Sequence, residues 1–249
     1  MGSEPAPRRA RFEELDWVDT PMGELSLRRR REPTTGLDVY EVKLGEEWLM
    51  SSLFTASEEA LARIGLEAVR PARGDGGLHV VVGGLGLGYT ARTALLDDGV
   101  AELVVVEVLP PVIAWHERGL LPGAAALVED PRTVLRTGDF FAMARGDGFD
   151  PAVPGRRWDA VLLDVDHSPD HVLHGSHADL YTADGLTRFS RLLSPGGVFG
   201  LWSDDPPDEA FADRLRAVFA DVRAHVVDFA NPLTGGRSAC TVYVATAAG

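Results

Sequence analysis

The chain has 249 residues, of which 45% are hydrophobic and 25% are charged, and its formal net charge at pH 7 is −14. This length and composition allow a sizeable core and exclude a largely disordered chain. The negative charge repels nucleic-acid phosphates and anionic membranes, so we expect neither as a partner. The single cysteine, Cys240, excludes an intrachain disulfide and a cysteine-rich zinc site. No signal segment and no apolar run of roughly 20 residues is present, which favours a cytoplasmic protein.

The N-terminal part predicts two short regions. Residues 1–20 begin with a polar stretch, and we predict a flexible N-terminus there. Residues 21–54 contain the strand patterns GELSLRRRR, LDVYEVKL and EWLMSSLF, which predict a small antiparallel β-hairpin cap. The run Arg28 to Arg31 alternates between the two faces of such a strand, so it favours a solvated or edge-guarding strand over a polyanion site.

Residues 55–249 predict one nucleoside-binding α/β domain. The helix pattern SEEALARIGLEAV, closed by Pro71, leads into an apolar strand pattern, LHVVVGG. Strand and helix patterns then alternate along the chain, which predicts a doubly wound, mainly parallel sheet. The last two strand patterns, DVRAHVVDF and SACTVYVAT, have no helix between them and predict a hairpin at one sheet edge.

A glycine-rich turn and three acids follow successive predicted strands. The turn carries Gly84, Gly86 and Gly88 between a strand and a helix, where glycines permit a sharp turn and close approach of a ligand. The acids are Glu107, Asp139 and Asp164. Each alone is compatible with an ordinary turn or loop, but parallel sheets bind ligands at the carboxyl ends of their strands. The ordered set therefore predicts a nucleoside site, with Glu107 accepting hydrogen bonds from ribose hydroxyls.

These motifs resemble those of spermidine synthases and, more widely, of class I S-adenosylmethionine-dependent methyltransferases. VVGGLGLGYTAR is similar to their glycine motif, VVVEVLPPVIAWHERGL to their ribose-binding segment, and RTGDFFA to the segment with their adenine-side acid. WDAVLLDVDHSP is similar to their catalytic Asp-x-x-Asp segment, and HADLYTADGLTRFSRLLSPGGVFGLW to the Phe-Tyr helix and strand that follow it. The resemblance implies a seven-stranded Rossmann-like methyltransferase sheet, with S-adenosylmethionine or its decarboxylated form as cofactor. It also implies a small-molecule acceptor and a homodimer or homotetramer.

Three departures from the synthases bear on the reaction. The Asp that holds a cationic amine in their glycine motif is replaced by Gly86, and SEEALARIG stands where their Tyr-His-Glu pattern is expected. In the Asp-x-x-Asp segment, Asp164 matches the first acid, whereas His167 occupies the second and Asp166 lies one place earlier. A helix start without an acid suits the carboxylate of intact S-adenosylmethionine. The main hypothesis is therefore methyl transfer to a small O or N nucleophile.

Two alternatives to methyl transfer remain open. One is aminopropyl transfer from decarboxylated S-adenosylmethionine, which the resemblance and the acidity favour. The other is a nucleoside-binding regulatory protein without catalysis, which the misaligned acids favour. A nicotinamide-dependent dehydrogenase is less consistent, since one sheet leaves little room for a second catalytic domain.

The stretch DVDHSPDHVLHGSH contains the predicted catalytic residues. We expect Asp164, Asp166 and His167 to orient the acceptor and to take its proton. We expect the histidines from 171 to 177 to lie in a solvated lid or connecting segment. Pro169 and Gly175 interrupt the helical spacing that could gather the imidazoles, so no metal site is predicted.

Overall fold

The computed structural model describes residues 11–73 and 77–249. It divides into two compact units, the first ending at Leu53 and the second running from Phe54 to Gly249. Residues 1–10 of the predicted flexible N-terminus lie outside the described residues. No helix in the described part of the chain is both long and apolar enough to cross a bilayer.

The first unit is a four-stranded antiparallel sheet with its strands in chain order. The strands are β1 (Phe12–Thr20), β2 (Gly23–Arg31), β3 (Asp38–Leu44) and β4 (Glu47–Ser51). The prediction of a flexible segment is therefore wrong for β1, which pairs with β2 along its length. Charged residues of β1 form ion pairs with residues of β2. Arg29 Nη2, for example, donates to Glu13 Oε2 at 2.6 Å.

The arginine run lies on an interior strand of this sheet. Because β2 pairs with β1 on one side and β3 on the other, the prediction of an edge-guarding strand is wrong. Neighbouring strands neutralise the charges: Arg30 Nε donates to Glu41 Oε1 at 2.8 Å. The Arg28 guanidinium lies 4.4 Å from the centre of the Trp48 ring, a cation–π contact. The run is thus paired within its own sheet.

The second unit contains a seven-stranded sheet in the order β10-β11-β9-β8-β5-β6-β7. Strands β5 to β9 pair with one another in parallel, whereas β10 and β11 form an antiparallel hairpin at one edge. The predicted doubly wound, mainly parallel fold is confirmed. The strands are β5 (Leu78–Gly83), β6 (Val100–Glu107), β7 (Thr133–Thr137), β8 (Trp158–Leu163), β9 (Leu193–Ser203), β10 (Asp221–Asn231) and β11 (Gly236–Thr246).

Helices cover both faces of this sheet. They are α1 (Ala56–Arg73), α2 (Tyr89–Leu95), α3 (Pro110–Glu117), α4 (Ala124–Val128), α5 (Phe140–Arg145), α6 (Ala183–Phe189) and α7 (Glu209–Arg216). Side chains of successive strand residues point to opposite faces. Accordingly, Leu162 of β8 packs closely on Gly65 of α1, and a Cβ added to Gly65 would lie 2.6 Å from Leu162 Cδ2. Leu163 belongs to the other face, with Phe141 of α5 and Phe189 of α6.

Helix α1 continues past the residue predicted to end it. Pro71 lies inside its last turn, and the helix ends at Arg73. A proline this close to the C-terminus removes a single backbone hydrogen bond, which the buried face of the helix offsets. That face includes Leu61, Leu66 and Val69.

Candidate active site at the carboxyl edge of the sheet

The candidate site lies where the strand order reverses. Strand β5 has β6 on one side and β8 on the other, and the carboxyl ends of all three meet there. Backbone hydrogen bonds join the segments that follow them. Gly84 N donates to Val106 O and Asp164 N donates to Gly83 O, both at 2.9 Å, and Gly138 N donates to Glu107 O at 2.9 Å. The structure therefore brings the predicted glycines and strand-end acids to one edge.

The turn after β5, residues 84–88, is called the glycine loop. Its three glycines, Gly84, Gly86 and Gly88, have φ values of +92°, +44° and +84°. Residues other than glycine rarely adopt a backbone conformation with positive φ. Space is also limited, because a Cβ on Gly84 would lie 2.2 Å from Asp164 O and one on Gly88 would lie 2.8 Å from His116 Cε1. The local fold requires glycine at both ends of the loop.

Glu107, at the end of β6, fixes the glycine loop from one side. Its Oε2 accepts from Leu85 N at 3.0 Å and from Gly86 N at 3.5 Å, and its Oε1 accepts from Leu109 N at 2.8 Å. Burial raises the pKa of this carboxyl, while these backbone donors act to lower it. Binding of a ribose hydroxyl by Glu107 stays a prediction.

Asp139 caps the helix that follows β7. Its Oδ1 accepts from Ala142 N at 3.0 Å, which satisfies one free N–H at the start of α5. The residue is partly exposed at the same sheet edge as Glu107. One of its oxygens therefore has a structural role, and its contact with a nucleoside stays a prediction.

Asp164 and Glu58 form a carboxyl pair, in which Glu58 is buried and Asp164 is half-buried. Thr90 Oγ1 donates to Asp164 Oδ2 at 2.8 Å, and the same hydroxyl lies 3.3 Å from the backbone oxygen of Glu58. Glu58 is only 9% exposed, and Ser57 Oγ donates to its Oε2 at 2.8 Å. Burial raises the pKa of Asp164 to about 6. Burial, followed by the charge of Asp164, raises the pKa of Glu58 to about 7.

The carboxyl pair has no cationic side chain beside it. Neither acid is paired with a lysine or arginine in residues 11–73 and 77–249. Sequence reasoning missed Glu58, although a signal was present: the residue lies on the buried face of α1, three and seven places before Leu61 and Gly65. An acid on an apolar helix face indicates a buried charge with a particular role.

Asp166 anchors the histidine-rich segment, residues 164–177, which we call the histidine loop. Its Oδ1 accepts from Leu173 N and contacts His177 Nδ1, both at 2.8 Å, and its Oδ2 accepts from Tyr181 Oη at 2.7 Å. Burial, with the charge of Asp166, raises the pKa of Tyr181 well above its ordinary value. Asp166 is 1% exposed. Its partners belong to its own loop and to the segment before α6, so it is not part of the carboxyl pair, and its role as a base stays a prediction.

The histidines of this loop have different environments. His171 is exposed and its Nδ1 lies 3.1 Å from Asp205 Oδ2, in agreement with the predicted solvated segment. For His177 that prediction is wrong, because its ring stacks on Phe141 with the centroids 3.7 Å apart and its side chain is only 12% exposed. The backbone oxygen of His167 accepts from Asp204 N at 2.7 Å, and a catalytic role for His167 stays a prediction.

No group of His, Cys, Asp or Glu side chains is arranged to hold a metal ion in the described ranges. The expected independence from metal therefore stays a prediction.

Comparison with curated proteins identifies polyamine aminopropyltransferases as relatives. The chain is 33% identical over 138 residues to a polyamine aminopropyltransferase of Mycobacterium tuberculosis, a match that covers 55% of this chain. It is 29% identical over 152 residues to polyamine aminopropyltransferase 2 of Pseudomonas aeruginosa, covering 59% of this chain. The matches span 25% and 40% of these relatives' own lengths. No protein-family model matches the chain.

Solved structures share the fold over nearly the whole chain. The spermidine synthase of Thermotoga maritima superposes with a TM-score of 0.68 at 18% identity, covering 99% of this chain and 82% of that protein. A spermidine synthase in complex with the transition-state analogue AdoDATO gives a TM-score of 0.67 at 17% identity, with the same coverage. A probable spermidine synthase of Corynebacterium glutamicum gives 0.59 at 18% identity, covering 97% and 81%.

These comparisons correct the predicted reaction. Methyl transfer as the main hypothesis is wrong, because the curated relatives are named for aminopropyl transfer and the structural neighbours for spermidine synthesis. The prediction relied on the missing acid at Gly86, whereas the structure places Glu58 beside Asp164 from a different helix. The chain is thus similar in sequence, over about half of its length, to polyamine aminopropyltransferases, and similar in fold, over nearly all of it, to spermidine synthases, as its motifs predict.

Proposed function

We propose that the chain is an aminopropyltransferase, which moves the aminopropyl group of decarboxylated S-adenosylmethionine to a small amine. The observation that carries this proposal is the carboxyl pair of Glu58 and Asp164 beside the glycine loop, to which the described part of the chain brings no cationic side chain. Burying acids without a cation costs several kcal/mol, and such perturbed groups are typical of ligand sites. The aminopropyl donor and a polyamine acceptor both carry amines that are protonated at neutral pH. A cationic substrate would therefore supply the missing charge.

The nucleoside half of the donor has its own set of candidate contacts. We assign it to the glycine loop, Glu107 and Asp139, which lie at the same sheet edge as the carboxyl pair. Each charged hydrogen bond contributes about 1.5–3 kcal/mol net, so Glu107 alone accounts for about 10- to 100-fold in affinity. The predicted homodimer or homotetramer is a separate expectation, on which this site does not depend.

The reaction is an in-line displacement at carbon. The acceptor nitrogen, in its neutral form with a free lone pair, attacks the aminopropyl carbon bound to the sulfonium sulfur, so a C–N bond forms while the C–S bond breaks. The bonding electrons pass to sulfur, which becomes the thioether of 5′-methylthioadenosine, and the new ammonium releases a proton. Alignment of nitrogen, carbon and sulfur supplies about 7–11 kcal/mol, and a positioned base adds about 10²–10⁴-fold.

Asp164 is the acid that we propose for holding the acceptor or donor amine and receiving the proton. Its pKa of about 6 leaves it largely ionised near neutral pH and still basic enough to accept a proton. Thr90 holds one of its oxygens, which leaves the other for a substrate N–H. Asp166 is less suited, since both of its oxygens already accept protein donors.

The test is release of 5′-methylthioadenosine from decarboxylated S-adenosylmethionine in the presence of a panel of diamines and polyamines. We expect turnover with at least one amine, and a loss of at least tenfold in kcat/KM for Glu58→Gln and for Asp164→Asn. Glu59→Gln is the matched control, because Glu59 is the next residue of α1, is 37% exposed and accepts from Thr55 Oγ1 outside the pair.

Two outcomes would contradict the proposal. Nucleoside binding by calorimetry without turnover of any amine would favour the regulatory, non-catalytic alternative. Equal activity of the Glu58→Gln and Glu59→Gln enzymes would remove the carboxyl pair from the site.

A further inference from the structure

His116 packs against the glycine loop at Gly86 and Gly88. It belongs to α3 and is 2% exposed. Its Nε2 lies 2.8 Å from the backbone oxygen of Gly86. A carbonyl oxygen can only accept a hydrogen bond, so Nε2 carries the proton and donates.

The imidazole is held as one neutral tautomer. With the proton on Nε2, the other nitrogen, Nδ1, is an acceptor, and it has no hydrogen-bond partner among the described residues. Burial is the largest cause that lowers the pKa of His116. The hydrogen bond to Gly86 acts in the opposite direction, and the positive charge of Arg92 lowers the pKa further. A leucine would fill similar space without leaving an unpaired buried nitrogen. The hydrogen bond from His116 to the loop therefore offsets the free-energy cost of burying the unpaired Nδ1.

The bond from His116 completes a clamp on Gly86. The N–H of Gly86 points to Glu107 Oε2 and its carbonyl points to His116, so the peptide groups before and after this residue are held by different elements. A trans peptide keeps its C=O and N–H on opposite sides, which fixes the orientation of the link to Leu87 as well. With a φ of +44° at Gly86, the free backbone would have many other conformations available.

The same ring also supports the end of the loop. A Cβ on Gly88 would lie 2.8 Å from His116 Cε1, so ring and glycine are in direct van der Waals contact. Gly88 precedes α2, and the ring thus limits where that helix can begin. One side chain acts on two of the three loop glycines.

We propose that His116 is a positioning residue for the nucleoside site, which holds the glycine loop in the conformation that receives the adenosine part of the donor. The inference rests on the proposed function, because it takes the loop to bind that nucleoside. His116 acts through Gly86 and Gly88 and does not touch the reacting atoms. Its loss should therefore raise KM for the donor while leaving kcat at saturation within about threefold.

The test compares His116→Gln with His116→Asn. The glutamine amide nitrogen reaches about as far as Nε2 and can donate to Gly86, whereas the asparagine amide reaches only about as far as Nδ1. Titration calorimetry with 5′-methylthioadenosine should give an affinity for the glutamine variant within about threefold of wild type. The asparagine variant should bind about tenfold more weakly, because its glycine loop is no longer held at Gly86 and must be ordered when the nucleoside binds.

Three outcomes decide the matter. Equal affinities of the two variants would overturn the role of His116, while binding by wild type would still support the proposed function. Absence of nucleoside binding by wild type would instead contradict the proposed function itself, and this inference with it. If either variant does not fold, ¹⁵N spectra of the wild-type imidazole decide: a protonated Nδ1 with unprotonated Nε2 would refute the bond to Gly86.

Discussion

Replacing Glu58 by glutamine should make the free protein more stable at pH 8 and less active in transfer. Glu58 is 9% exposed and lies beside Asp164, and its carboxylate accepts from Ser57 Oγ and from its own backbone N–H. Glutamine has nearly the same shape, and its carbonyl oxygen can keep the bond from Ser57. It removes the buried negative charge, which repels Asp164 and has no cationic partner among the residues that the structure describes. Removing such a charge is commonly neutral or stabilising.

The magnitude follows from the pKa of Glu58, which rises from 4.5 to about 7 on folding. At 1.36 kcal/mol per pKa unit, this corresponds to at most about 3 kcal/mol. The folded protein binds this proton more tightly than the unfolded chain. The contribution of protonated Glu58 to the stability of the wild-type protein is therefore fully present below pH 4.5 and is lost as the pH rises through 7. For a chain of this size, about 3 kcal/mol corresponds to roughly 6–12 °C in Tm, so a gain of a few degrees at pH 8 is expected.

Thermal unfolding followed by circular dichroism at pH 4.5, 6 and 8 measures this effect. Wild type and Glu58→Gln should melt within about 1 °C of each other at pH 4.5, where Glu58 is protonated, and diverge as the pH rises. Glu59→Gln should follow wild type throughout, since its side chain is 37% exposed. A constant Tm difference between Glu58→Gln and wild type from pH 4.5 to 8 would refute the reasoning, because it would show that Glu58 does not titrate in this range.

Further predictions concern other parts of the site. Glu107→Ala should weaken binding of 5′-methylthioadenosine at least tenfold by calorimetry, since three backbone N–H groups lose their acceptor; unchanged affinity would contradict this. Asp166→Ala should lower stability by about 3–5 kcal/mol in urea unfolding and expose the Leu173 amide to hydrogen exchange, whereas an unaltered midpoint would argue against an anchor. Chelation should leave transfer activity unchanged; loss by chelator and recovery with one divalent metal would refute metal independence.

Much of the second unit could be predicted because its strands are locally distinctive. Val80, Val81 and Val82 are all fully buried, as expected for a central parallel strand covered on both faces. Short elements were harder to predict. Helix α5 has six residues, too few to show a helical period, and its only local signal is the capping residue Asp139.

Strand β1 was missed for a different reason. It carries Glu13, Glu14, Asp16 and Asp19, which individually disfavour a strand. The compensating charges are the arginines of β2, and pairing between the two strands becomes apparent only once their register is known. Local propensity was thus outweighed by cross-strand contacts.

Within the site, strand ends were predictable and side-chain directions were not. The positions of the glycine loop, Glu107 and Asp164 follow from the rule that parallel strands end at one edge. Asp164 and Asp166 are two residues apart, yet Asp164 contacts Thr90 of α2 whereas Asp166 contacts Tyr181 before α6. The chain between them follows no regular strand, so the alternation of side chains gives no guide there.

The correction at Gly86 shows why one motif position does not determine the charge of a site. The electrostatic effect of an acid depends on its distance in space from the ligand and on its burial, not on the element that carries it. Glu58 comes from α1 and lies against Asp164, so the crevice keeps a second carboxyl although the glycine motif has none.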